Sequence, residues 1–164
     1  MSRDLPDHID IWRMVSGRRC FAGQLPLARL PRLRDSLAHA DGSIAFELEF
    51  DTDEFDQAYV ELRVQDDLPL ICQRTLDVYR QPVAVGTRLG LITREEQEAG
   101  LPPGYEAFLV PADGMVTPAD LIEDELILAL PLVPARPDSV VEEEDVEEAA
   151  KSSPFAALKS LRLQ

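Results

Sequence analysis

The stretch "SIAFELEFDTDEFDQAYVELRV", residues 43–64, decides the fold because apolar and polar residues alternate in both of its halves. In residues 43–50 every second position is a large apolar residue, and Glu47 and Glu49 lie between them. A period of two predicts a strand that is buried on one face only. Residues 58–64 repeat the pattern, and the acidic stretch 51–56 predicts a solvated turn between the two strands. The whole stretch therefore predicts an antiparallel hairpin.

The following residues predict three more strands. The motif "DDLP" (66–69) indicates a turn, after which residues 68–74 predict a third strand. Residues 78–93 look extended, but Pro82 lacks a backbone N–H and therefore restricts that strand to an edge or a bulge. A polar loop then leads to a short last strand at 105–110.

Two helices are predicted to pack against this sheet. Near residues 31–40, three leucines recur at helical spacing and a proline suits the first turn. Between 118 and 130 a second helix is predicted, because Thr117 suits the N-cap and Pro118 the first helical position. We therefore expect an α+β fold, an antiparallel meander of about five strands with two packed helices, in a single domain at 1–135.

The C-terminal region differs in composition from this domain. Residues 136–153 are rich in Asp and Glu and poor in apolar residues, which predicts a disordered, flexible acidic linker. Residues 154–164 predict a short amphipathic motif with apolar residues on one side. Its candidate partner-binding residues are Phe155, Leu158, Lys159 and Leu161.

Charge is distributed unevenly along the chain, whose formal net charge is −15. Residues 1–40 hold seven Arg and four Asp, which gives +3. Residues 41–100 hold five basic and fourteen acidic residues, and 101–164 hold four and thirteen, so each segment carries −9. This asymmetry indicates a basic contact surface on an acidic body. Alternatively, arginine is simply the preferred base, since Arg outnumbers Lys fourteen to two.

We expect neither a secretory signal nor a membrane span in this sequence. Asp4, Asp7 and Asp10 stand where a signal peptide has basic and then apolar residues. The longest apolar run, 126–135, is too short to cross a bilayer and contains two prolines. We expect a cytoplasmic protein without a membrane partner.

The residue pattern also argues against catalysis and metal binding. Cys20, Cys72, His8 and His39 are isolated, whereas zinc sites need clustered ligands. Residues 123–125 are consecutive acids on a predicted helix, so they point in different directions and are interpreted as surface acids. There is no phosphate-binding glycine loop and no nucleophile elbow. We expect no enzyme activity, no cofactor and no metal.

One segment has the composition of a nucleic-acid contact, because residues 11–34 contain six arginines and no acid. Clustered cations bind phosphates, and Trp12 or Phe21 would offer a ring for stacking on an unpaired base. The alternative is a solvated helix face beside an edge strand. The candidate RNA- or partner-binding residues are Arg18, Arg19, Arg29, Arg32 and Arg34.

Four motifs are similar to those of a known family. They are "GQLPLARLPRL" (23–33), "LICQRTLDVYRQPV" (70–83), "DLIEDELILALPLVP" (120–134) and "PFAALKSL" (154–161). Together they resemble the YceD family, the large ribosomal RNA subunit accumulation proteins, over nearly the whole chain. Many members of that family carry Cys-x-x-Cys where this chain has Cys72 and Thr75. We therefore interpret Cys72 as a small core residue.

The resemblance implies a bacterial, non-enzymatic factor for synthesis, processing or stability of 23S ribosomal RNA. It leaves two mechanisms open. In the first, the arginine segment binds 23S rRNA or a pre-ribosomal particle directly. In the second, the acidic body acts as a chaperone-like binder of a basic ribosomal protein, steered by opposite charge. The arginines favour the first mechanism and the net charge favours the second.

Overall fold

A computed structural model of the protein describes residues 5–138. The strands are β1 (Ile9–Asp10), β2 (Cys20–Pro26), β3 (Ser43–Thr52), β4 (Ala58–Ile71), β5 (Val78–Ile92), β6 (Glu106–Leu109) and β7 (Met115–Val116). The helices are α1 (Ile11–Ser16) and α2 (Pro118–Ala129), and 3₁₀ turns occupy Leu27–Arg29, Leu33–Ser36 and Glu95–Gly100. Strands β2 to β6 form one five-stranded sheet in chain order, whereas β1 pairs with β7.

The predicted α+β fold class is confirmed. The predicted linker from residue 139 onward and the motif at 154–164 lie outside the described residues.

The predicted hairpin at 43–64 is confirmed. Strands β3 and β4 pair antiparallel, with Phe46 opposite Val64 and Phe50 opposite Val60. These four side chains are all buried, because the period of two places them on the same face of the sheet. Residues 51 and 52 of the acidic stretch belong to β3, and the rest forms the turn, closed by a hydrogen bond from the Asp53 N–H to the Gln57 carbonyl at 3.0 Å.

The turn predicted at 66–69 is wrong, because β4 runs through it without a break. The backbone pairing of β4 with β3 ends at Val64 and Phe46. Just beyond it, the Asp66 carboxylate of β4 accepts a hydrogen bond from the Ala45 N–H of β3 at 3.0 Å, in place of a backbone carbonyl. Beyond that point β4 pairs only with β5, so the two form a long hairpin. Pro82 lies opposite Asp67 of β4, in the part of β5 that β6 does not pair with, so β5 is an edge strand there and the predicted edge position is confirmed.

The fifth strand of the sheet pairs in parallel, whereas the meander expectation has every pair antiparallel. Strand β6 runs parallel to the end of β5, with Leu89 opposite Glu106. The connection between them holds the 3₁₀ turn Glu95–Gly100 and is long enough for a crossover, which a parallel pair requires. Gly90 allows this connection to pack closely, because a Cβ there would lie 2.6 Å from Leu101 Cδ2.

The α-helix predicted at 31–40 is wrong, although its leucines are buried as expected. The region forms the separate 3₁₀ turns Leu27–Arg29 and Leu33–Ser36. Pro31 has no N–H to continue a helix. The N–H groups of Arg32 and Leu33 instead donate to the carboxylate of Glu123, at 2.6 and 2.9 Å.

The predicted second helix is confirmed as α2. It begins at Pro118, and its buried side chains include Ala119, Ile122 and Leu126. Thr117 occupies the N-cap position without a side-chain capping bond, since its hydroxyl lies 3.3 Å from Nδ1 of His8. The buried face joins one hydrophobic core with the sheet. Within residues 5–138, no helix has the length and apolar character that crossing a membrane requires.

Candidate functional site

The five candidate arginines form two groups at opposite ends of β2. Arg18 and Arg19 directly precede the strand, whereas Arg29, Arg32 and Arg34 follow it. A strand of this length spans roughly 20 Å. The structure therefore does not bring all five residues into one contact, and each group must be considered separately.

The first group lies on the turn that follows α1. The Gly17 N–H donates to the Arg13 carbonyl at 3.1 Å, and Phe50 of the neighbouring strand donates its N–H to the Arg19 carbonyl at 2.9 Å. Gly17 packs between Arg13 and Arg19, since a Cβ at Gly17 would lie 3.3 Å from the Arg13 carbonyl oxygen and 3.5 Å from Arg19 Cγ. Arg13, Arg18 and Arg19 are all exposed. We call these three residues the arginine turn.

Arg18 adopts a backbone conformation that is unusual for its residue type. Its φ is 44°, in the left-handed region that glycine tolerates best. Its guanidinium Nε lies 3.1 Å from the Asp51 carboxylate, while the side chain remains 73% exposed. An ion pair this exposed contributes little to stability, about 0–1 kcal/mol. The guanidinium therefore remains accessible to a partner.

The second group is largely engaged with other parts of the chain. Arg29 forms an ion pair with Asp7. Arg34 donates to the Ala28 carbonyl at 3.3 Å, and its side chain is exposed. Within residues 5–138, Arg34 has no carboxylate partner, and the same holds for Arg13 and Arg19.

Arg32 is the most strongly held candidate. Its Nε donates to Glu123 at 2.8 Å and a terminal nitrogen donates to Asp124. These hydrogen bonds, first to Glu123 and then to Asp124, raise the pKa of Arg32 above its ordinary value. Glu123 is only 1% exposed, so the interpretation of residues 123–125 as surface acids is wrong for this residue. Arg32 links the 3₁₀ turns to α2, which is a structural role.

The spacing of α2 contained the signal for Glu123. Ala119, Ile122 and Leu126 repeat at helical spacing, and position 123 follows 122 on the same buried face. Glu125 is also partly covered: burial raises its pKa, and the Thr87 hydroxyl donates to it at 2.7 Å. Consecutive acids do point in different directions, but on a packed helix one of those directions is the core.

The two rings proposed for stacking have different environments. Phe21 is 7% exposed and packs edge-on against Phe50, with ring centroids 6.0 Å apart. A base cannot reach Phe21 without disrupting the core. Trp12 is half-buried on α1, where its ring lies 3.1 Å from the position of a Cβ at Gly114. Trp12 is thus the only one of the two candidate rings that is accessible at all.

The end of the sheet beside the β3–β4 turn carries an acidic surface. The side chain of Gln57 in that turn donates to the Leu91 carbonyl at 3.1 Å, which places the end of β5 alongside. The 3₁₀ turn after β5 exposes Glu95, Glu96 and Glu98, none of which has a cationic partner among residues 5–138. We call these three residues the acidic turn.

Cys72 follows β4 and is fully buried, as the sequence predicts. The Arg136 N–H donates to its Sγ at 3.4 Å. This hydrogen bond, together with others from Thr75 and Arg74, lowers the pKa of Cys72 to about 6 despite the opposing effect of burial. Within the described part of the chain, no three His, Cys, Asp or Glu residues lie close enough to hold a metal ion.

Comparisons with known proteins agree with the motifs. The model of the family described as "Large ribosomal RNA subunit accumulation protein YceD" matches residues 60–162. The Haemophilus influenzae protein of that name is 30% identical over 167 aligned positions, which cover 96% of each chain. No solved structure matches the chain. Because the family model matches well over half of the residues, this chain belongs to the YceD family of large ribosomal RNA subunit accumulation proteins.

Proposed function

We propose that this protein is a non-enzymatic factor for accumulation of the large-subunit (23S) ribosomal RNA, and that it contacts rRNA directly through the arginine turn. The description of the family and the name of the Haemophilus influenzae relative both support a role in ribosome biogenesis. Such a role requires no catalytic centre in this chain and belongs in the cytoplasm, where ribosomes assemble.

The observation that carries direct binding is the state of the arginine turn. Arg13 in α1 and Arg19 after Gly17 are both exposed and have no carboxylate partner within residues 5–138. Arg18 lies between them on a tight turn. Guanidinium groups bind phosphate oxygens in pairs of parallel hydrogen bonds, so three exposed ones on α1 and the turn after it suit an RNA backbone. Arg32 takes no part in this proposal because Glu123 holds it.

The acidic body has a complementary role in this mechanism. A net charge of −15 opposes general attraction to RNA, so binding depends on the few surfaces where cations protrude. Arg34 is the other exposed candidate arginine without a carboxylate partner within residues 5–138, but it lies at the other end of β2. We therefore place the principal contact at the arginine turn.

The test is a salt titration of binding to 23S rRNA fragments. The Arg13→Ala/Arg19→Ala variant should bind more weakly, because each arginine that binds a phosphate releases counterions. On single-stranded RNA, its plot of log affinity against log salt should flatten by roughly 0.7 for each phosphate that the variant no longer neutralises. The control is Arg80→Ala/Arg94→Ala, which removes two exposed arginines elsewhere. Equal affinities and equal slopes for the two variants would contradict direct binding through this turn.

A second candidate function is favoured by the acidic turn. Glu95, Glu96 and Glu98 are exposed together and have no cationic partner within the described residues. Such a surface suits a basic ribosomal protein that must be shielded before assembly. The two functions are separable, because they use oppositely charged surfaces.

A further inference from the structure

A groove lined by both apolar and polar residues lies at the end of the molecule where α2 terminates. Its volume is about 390 Å³. The groove runs between the 3₁₀ turn Leu33–Ser36, the end of β4 and the residues that follow α2. Its apolar lining includes Leu37, Leu70, Ile71, Ile127, Leu130 and Leu132.

Large apolar side chains are exposed to solvent in the residues that border the groove. Leu132 is fully exposed at 103%, Leu128 is 75% exposed and Val133 is 67% exposed. All three lie within six residues on the same stretch of chain, and Leu132 itself lines the groove. Clustered exposed apolar residues of this kind are typical of a binding site.

We propose that the chain's own C-terminal motif, residues 154–164, binds in this groove. The path of the chain supports this occupant. Pro134 lines the groove, and the described residues end only four positions later at Asp138. The length of residues 139–153 is enough to return the motif to the groove: a Gly/Ser-type chain of 15 residues spans roughly 20 Å, and a charged one spans more. A tether of this length provides an effective concentration in the millimolar range.

The chemistry of the motif matches the groove. Phe155, Leu158 and Leu161 are spaced by three, so a helical turn would align them as one apolar stripe. An amphipathic segment that inserts such a stripe into an apolar groove is a common recognition mode. Lys159 adds a positive charge to the motif, and Asp35 on the groove's lining is exposed and negative. Attraction between the two would fix the orientation of the segment.

The family match includes the motif and most of the groove. Residues 60–162 contain the end of β4, α2, the residues after it and the C-terminal motif, but they exclude the arginine segment at 11–34. Most of the groove's lining and the motif thus lie in the matched region, whereas the wall formed by Asp35, Ser36 and Leu37 lies outside it. The proposal does not depend on RNA binding, and its test requires no RNA.

The experiment is intramolecular disulfide formation in the full-length chain. In a Cys20→Ser background, Leu132→Cys is combined with Leu158→Cys, while the buried Cys72 is retained. Mild oxidation at low protein concentration should cross-link this pair within a monomer. Leu132 is fully exposed, so its replacement should leave the fold intact.

The matched control separates binding from mere tethering. Val78 is 52% exposed and lines a surface pocket together with Asp138, so it lies close to the point where the tail begins. A Val78→Cys/Leu158→Cys pair should cross-link more slowly than the groove pair, on the order of tenfold. Adding Phe155→Ser and Leu161→Ser to the groove pair should reduce its rate to that of the control.

Each other outcome overturns the proposal. Equal rates for the groove pair and the Val78 pair would show that the tail only diffuses near its tether. A rate unaffected by Phe155→Ser and Leu161→Ser would exclude the apolar stripe as the binding element. Covalent dimers as the main product would assign the groove to a second copy of the chain.

Discussion

The buried carboxylate of Glu123 holds Arg32 by both backbone and side chain. Its Oε1 accepts the Arg32 N–H at 2.6 Å, and its Oε2 accepts the Arg32 Nε at 2.8 Å. Oε1 also accepts the Leu33 N–H at 2.9 Å. These three bonds compensate for burial of the charge, which is otherwise costly. One carboxylate on α2 thus replaces the helical hydrogen bonds that the region after Pro31 lacks.

Glu123→Gln should therefore destabilise the fold. The substitution removes the negative charge that attracts Arg32. It also replaces one acceptor oxygen by an NH₂ group, which cannot accept a hydrogen bond from the N–H groups that face it. We expect a loss of about 2 kcal/mol in the free energy of unfolding, less than for a fully buried pair because Arg32 is half-exposed. Urea denaturation followed by circular dichroism measures this change.

The matched control for that substitution is Asp124→Asn on the same helix. Asp124 also pairs with Arg32, but its side chain is 52% exposed. An exposed ion pair contributes less than about 1 kcal/mol. If Asp124→Asn cost as much as Glu123→Gln, burial of the Glu123 carboxylate could not explain the effect.

Arg18→Gly should separate stability from binding. Glycine tolerates the φ of 44° that Arg18 adopts, which relieves strain, while the exposed ion pair with Asp51 is removed. We expect the free energy of unfolding to stay within about 1 kcal/mol of the parent protein. Affinity for 23S rRNA should nevertheless fall. Thermal unfolding and an RNA titration on the same preparation test this, and a large loss of stability would argue against the strained turn.

The lowered pKa of Cys72 predicts a rise of stability with pH. Its pKa falls from 9.0 in the unfolded chain to about 6 in the folded protein, with the Arg136 N–H as the first cause. Between these values the unfolded state binds the proton and the folded state does not. The free energy of unfolding should therefore rise from pH 6 to pH 9, and this stabilisation is lost as pH falls through 6.

Cys72→Ser is the comparison for this pH effect, because a hydroxyl does not ionise in that range. The difference in urea midpoint between the parent protein and the variant should grow from pH 6 to pH 9. Cys20→Ser is the control, since burial and the nearby Glu47 raise the pKa of Cys20 instead. A constant difference for Cys72→Ser would show that Cys72 stays protonated.

The sheet was predictable from sequence because its strands carry the period of two that burial of one face demands. The errors arose where a side chain replaced a backbone partner. Asp66 continues the pairing of β4 with β3 at a place where two acids and a proline suggest a turn. Glu123 does the same for the N–H groups of Arg32 and Leu33. Local spacing indicates that position 123 is buried, but it does not indicate which distant N–H groups its carboxylate accepts.

The candidate site was predictable in composition but not in arrangement. Six arginines without an acid identify the segment 11–34, yet sequence does not reveal which of them carboxylates hold. Asp7, Asp51 and Glu123 lie outside that segment and engage Arg29, Arg18 and Arg32 respectively. Arg13 lies near Arg18 and Arg19 because α1 ends at Ser16 and the chain turns at Gly17, whose N–H donates to the Arg13 carbonyl.

Neutralising the acidic turn should distinguish the two proposed functions. Glu95→Gln/Glu96→Gln/Glu98→Gln removes three exposed negative charges without touching the core, so the fold should be unaffected. If rRNA is the direct partner, its affinity should hold or rise, because repulsion of phosphates decreases. If a basic ribosomal protein is the partner, its association rate should fall and become less sensitive to salt. We expect the first result.

Stopped-flow association with a purified basic ribosomal protein measures the association rate, and the rRNA titration measures the rRNA affinity. The opposite result has two parts: the acidic-turn variant associates more slowly with the ribosomal protein at unchanged rRNA affinity, and Arg13→Ala/Arg19→Ala binds rRNA as well as the parent protein does. Together they would assign the function to the acidic turn instead of the arginine turn.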